Sequence, residues 1–145
     1  MAPTPKSIIF FEAQKRISIL WFLYAGLIFM VILLQTLLNK FGSKTDEVWN
    51  WILPNLVPTL SIILTVFLAE IGKLKESVKN VNVFYFRLVL FLSLFYLTIL
   101  FLIILIIPFI SDSFIDIINS SNLYLAPLQG LVGIAIGFFF VKSEK

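Results

Sequence analysis

Residues 49–70 read WNWILPNLVPTLSIILTVFLAE. The run matches the roughly 20 apolar residues that carry a helix across a bilayer core. Yet it contains Pro54, Asn55 and Pro58. A proline inside a helix withholds one N–H and leaves the carbonyl one turn earlier without its donor. Lipid cannot satisfy that carbonyl, so protein or water must. Two readings stand: a buried polar knot between helices, or a vestibule open to water.

Three further charge-free apolar runs, 17–38, 88–110 and 123–141, join 49–69. The chain is 60% hydrophobic and 13% charged, where soluble domains carry about 25% charge. The linkers are too short to hold a soluble domain. The expectation is one membrane domain over residues 1–145: an all-α, four-span antiparallel bundle in the lipid bilayer. The first span exceeds the apolar core of a signal peptide, about 7–15 residues, and no small-residue cleavage site follows it, so it is expected to be retained.

Charge placement sets the expected orientation. Lys6, Lys15 and Arg16 precede the first span. Lys73, Lys75, Lys79 and Arg87 fill the second linker, and Lys142 and Lys145 end the chain. The first linker offsets Lys40 and Lys44 with Asp46 and Glu47, and the third carries only Asp112 and Asp116. The positive-inside bias then puts both termini and the middle linker in the cytoplasm, in a membrane of the bacterial inner type. Lys73, Lys75, Lys79 and Arg87 read as a face for anionic lipid or a cytosolic partner protein. Nucleic acid is not an expected partner.

Outside the spans, residues 8–15 suit either a helix lying in the inner interface or a simple extension of the first span. In SDSFIDIINSSN (111–122), Ser111 or Ser113 is a candidate N-cap for a short outer surface helix. The two halves also resemble each other. Arg16 and Arg87 open the first and third spans, and NWILP (50–54) matches NLYLAP (122–127). Tandem duplication of one hairpin and chance likeness both account for this.

Depth sorts the polar residues. At ~1.5 Å per residue, Pro54, Asn55 and Pro58 lie roughly 8 to 14 Å in from the outer edge at Trp49. Gln35 lies about 5 Å, and Gln129 about 9 Å, from the outer ends of spans one and four. Gln35, Pro54, Asn55, Pro58, Thr59 and Gln129 are therefore the candidates for an outer mouth. Pro54, Pro58, Ser61, Thr65 and Gly72 share one face of span two, too small and polar to prefer lipid. Ala126, Gly130, Gly133 and Gly137 step along one face of span four, and 133–137 is a GxxxG, which permits close backbone approach. These two small faces are expected to pack on one another. Trp49, Trp51, Tyr85 and Tyr124 fall at span ends and read as interfacial anchors.

Chemistry is conspicuous by what is missing. With no histidine and no cysteine, zinc, haem and copper lose their usual ligands, and no cofactor is expected. No nucleophile elbow or phosphate-binding glycine loop is present. No carboxylate lies inside a span, as a proton-coupled transporter would require. An enzyme is not expected. The leading expectation is a subunit of an oligomeric channel or membrane-permeabilising pore, a homo-oligomer because one chain barely encloses a water path. The alternative is a non-catalytic membrane anchor or scaffold.

Overall fold

A computed structural model describes residues 7–71, 80–110 and 114–141. Four long helices dominate it: α1 (Phe10–Leu37), α2 (Thr45–Ile71), α3 (Val83–Ile106) and α4 (Phe114–Val141). Each is long and apolar enough to cross a membrane. With 28 residues, α1 is about 42 Å long at ~1.5 Å per residue, against a hydrocarbon core of about 30 Å. Helices α1 and α4 therefore begin well before their apolar runs, at Phe10 and Phe114.

That extra length decides between two readings and corrects one expectation. Helix α1 starts at Phe10 as an extension of the first span, so residues 10–15 are not a separate interfacial helix. The outer surface helix after span three is instead the opening of one continuous α4, and Ser111 and Ser113 lie outside the described residues. The fold is also not purely helical. A short strand β1 (Ser7–Ile9) pairs antiparallel with β2 (Asn80–Asn82), Ser7 facing Asn82 and Ile9 facing Asn80. Asn82 then caps α3, its side chain accepting from the Phe84 N–H at 2.9 Å, the N2 donor a helix otherwise leaves unpaired.

The turn after α1 is equally local. Asn39 takes a positive φ of 52°, and Lys40 N–H bonds the Gln35 carbonyl while Asn39 N–H bonds that of Thr36, both at 2.9 Å. This is the Schellman ending, in which a residue tolerant of left-handed backbone stops the helix. A 3-10 turn at Gly42–Lys44 leads straight into α2. The prolines do not break α2: Pro54 and Pro58 both lie inside it, as Pro127 lies inside α4. Pro108 does change its helix, drawing the end of α3 into a 3-10 turn at Ile107–Phe109.

Within the expected four-helix bundle, two of the packed helix pairs run parallel, α1 with α3 and α2 with α4, and two run antiparallel. Helix α1 packs chiefly on α3, α2 on α4, and α3 on α4, with a lighter α1–α2 contact, giving the ring order α1–α3–α4–α2. The strand pair joins the starts of α1 and α3, and a Gln35–Ile104 hydrogen bond joins their far ends. Like helices of the two hairpins thus run side by side, whereas a two-fold along the bundle axis would set them diagonally opposite one another. The interior is filled by Trp21, Tyr96, Phe140 and aliphatics such as Ile28, Leu56, Leu97 and Ile104. Large side chains including Leu23, Phe91 and Ile134 point outward, as they would toward lipid.

Candidate functional site

The polar layer expected from the sequence does assemble, and its geometry follows from the prolines. Pro58 has no N–H to offer the Pro54 carbonyl, one turn earlier. Gln129 of α4 reaches across and donates its Nε2–H to that oxygen at 2.7 Å. The same arrangement recurs on the other side of the bundle. Pro108 withholds a donor from the Ile104 carbonyl, and Gln35 of α1 supplies one from Nε2 at 3.3 Å. Two glutamines therefore each replace an N–H that a proline removed from a neighbouring helix. Left bare in an apolar medium, such a carbonyl would cost several kcal/mol.

Asn55 sits at the centre of this layer and is only 6% exposed. Its Nδ2 donates back to the Trp51 carbonyl at 2.7 Å. The Tyr96 hydroxyl of α3, diagonally across the ring, stands 3.0 Å from both the Asn55 carbonyl and its Oδ1, sharing one proton between them. The Asn55 side chain is thus enclosed by the bundle, and Thr59 one turn further on is buried likewise. Pro54 and Pro58 are exposed on the neighbouring, outward face of α2.

Above the knot, the Trp51 indole donates to Asn122 Oδ1 at 3.0 Å, joining α2 to α4. Trp51 is thus a buried interhelical contact, where an interfacial anchor was expected. Trp49 is half-buried and packs on Phe29, with ring centroids 5.8 Å apart. Tyr85 and Tyr124 are exposed, in keeping with an interfacial place.

The small faces of α2 and α4 do not pack on one another. Pro54, Pro58, Ser61 and Thr65 are exposed along α2, and Ala126 and Gly130 along α4, while Gly133 and Gly137 are partly exposed. A Cβ placed on Gly130, Gly133 or Gly137 would meet nothing within 4 Å. The GxxxG consequently brings no backbones together inside the chain. Gly72 lies outside the described residues, as do Lys73, Lys75 and Lys79. Arg87 is exposed near the start of α3, and Arg16 bonds Glu12 one turn away at 3.3 Å.

Tyr96 is the member that sequence reasoning missed. The available signal was its depth: a phenol in mid-span must find a partner, because lipid offers none. Comparison with protein-family models, curated proteins and solved structures returns no match, so the functional argument rests on the residues of this chain.

Proposed function

We propose that the protein is a subunit of an oligomeric channel or membrane-permeabilising pore in a bacterial cytoplasmic membrane, with the α2–α4 side of each copy turned inward. One observation carries this reading: the bundle has two unlike outer sides. On α1 and α3 the exposed positions are large and apolar, as at Leu23, Met30, Phe91 and Phe95. On α2 and α4 large apolar positions such as Leu64, Leu131 and Ile134 are exposed as well, but beside them runs a stripe of small or polar ones: Pro58, Ser61, Thr65, Ala126 and Gly130. The first side suits lipid tails. The stripe gains little from lipid and more from close helix contact or water. Because Asn55 and Gln129 are occupied in the knot, the permeation path in this reading runs between copies along Ser61 and Thr65.

The closed interior supports a second reading, a non-conducting anchor or scaffold using a basic cytoplasmic face that includes Arg87. Reconstitution separates the two. Purified protein in liposomes is expected to form an oligomer and to leak ions, and a thiol reagent is expected to block the leak of Ser61→Cys but not of Leu94→Cys. An intact oligomer without flux would leave the scaffold reading ahead.

A further inference from the structure

Helical serines usually turn their hydroxyls back onto a carbonyl of the preceding turn. Ser18 does so to Gln14 at 2.9 Å, and Ser121 to Ile118 at 2.7 Å. Ser93 does not. It is completely buried on α3, and its Oγ has no hydrogen-bond partner. On the facing helix α1, Trp21 is also completely buried, and its indole N–H is likewise unpartnered.

Both groups lie on helices that pack against each other. Trp21 stacks on Tyr96 with ring centroids 6.1 Å apart. Ser93 precedes Tyr96 by three positions, on the same face of α3. Long side chains on a helix lean back over the turn that precedes them, so the Tyr96 ring overlies the turn containing Ser93. The stack thus brings Trp21 to the stretch of α3 that carries Ser93. An indole can only donate, whereas a hydroxyl can donate and accept. Neither has lipid or backbone to turn to.

We propose that the α1–α3 interface holds one buried water, accepting from Trp21 Nε1 and hydrogen-bonded to Ser93 Oγ. A site for a molecule of this size needs polar partners rather than charge, and small buried waters typically bridge such otherwise unsatisfied groups. The site lies between the Ser18–Gln14 turn of α1 and the Tyr96–Asn55 contact. This proposal concerns the interior of a single chain and stands apart from the oligomeric reading.

A crystal structure of the whole protein, fine enough to show ordered water, tests it. The expected result is a density peak within hydrogen-bond distance of both Trp21 Nε1 and Ser93 Oγ. In Ser93→Ala, which suits a helix and should fold, the peak is expected to vanish. In Ser93→Thr, which keeps the hydroxyl, it should persist. A direct Trp21–Ser93 bond, a wild-type interface closed by side chains, or a peak that survives Ser93→Ala would overturn the proposal.

Discussion

Gln129 of α4 donates to the Pro54 carbonyl at 2.7 Å, and that carbonyl is the one Pro58 leaves without a helical donor. A lesion in α2 is repaired from a different helix. The bond thus ties the two helices together while allowing a proline in the middle of a span.

This pairing predicts a specific rescue. Gln129→Leu should lower stability by about 1–2 kcal/mol, because the Pro54 carbonyl loses its donor in an apolar setting. Pro58→Ala returns a backbone N–H to the same carbonyl. In that background Gln129→Leu should cost much less, and a double-mutant cycle on thermal unfolding would show the coupling. Equal costs in both backgrounds would mean that the glutamine does not serve the proline. The Gln35 and Pro108 pair should behave in the same way.

Tyr96→Phe removes one hydroxyl from the knot while keeping the ring against Trp21. The expected cost is about 1 kcal/mol of stability, with the fold intact. Asn55→Leu removes the side-chain acceptor of Tyr96, leaving it the backbone carbonyl, together with the amide on Trp51, and should cost more. Ion flux, where present, should be unchanged in folded Asn55→Leu protein, since the Asn55 side chain is enclosed by the bundle. Altered selectivity in that variant would put the knot on the conduction path.

Gly133→Leu and Gly137→Leu test the outer face of α4. Open space surrounds a Cβ at both sites, so the monomer should keep its melting temperature. An oligomer built on that face should dissociate in mild detergent, at a cost of about 1–3 kcal/mol from overpacking. Wild-type size in both variants would move the interface elsewhere.

Orientation is open to direct labelling, because the chain has no cysteine of its own. Lys44→Cys is expected to react with an impermeant thiol reagent added to intact cells, and Lys75→Cys only after permeabilisation. Labelling of position 75 from outside would reverse the orientation read from the charges.

The number and course of the long helices were legible because hydropathy reports them directly. The polar layer was also legible: Gln35, Asn55 and Gln129 were singled out beside Pro54 and Pro58 by depth alone. Their pairing was not, since which glutamine serves which carbonyl depends on ring order, and no local pattern encodes that. The same gap explains the small faces. Spacing shows that Ala126, Gly130 and Gly137 share a side, but not whether the side turns inward or outward. The strand pair escaped notice because three residues such as Ser7–Ile9 give no periodicity to read, and their partners lie a full hairpin away.

The ring order has a consequence for the birth of the protein. Helices enter the membrane in the order of synthesis, and the first hairpin is finished while its partners are still unmade. At that moment the Pro54 carbonyl lacks Gln129, Asn55 lacks Tyr96, and Gln35 lacks Ile104, since every donor or acceptor in these pairs is supplied by the later half. Half-made chains of this kind present unsatisfied polar groups to the membrane and are natural clients for insertion chaperones and quality-control proteases. A ribosome that stalls between the hairpins would leave a fragment that can cross the bilayer but cannot settle in it.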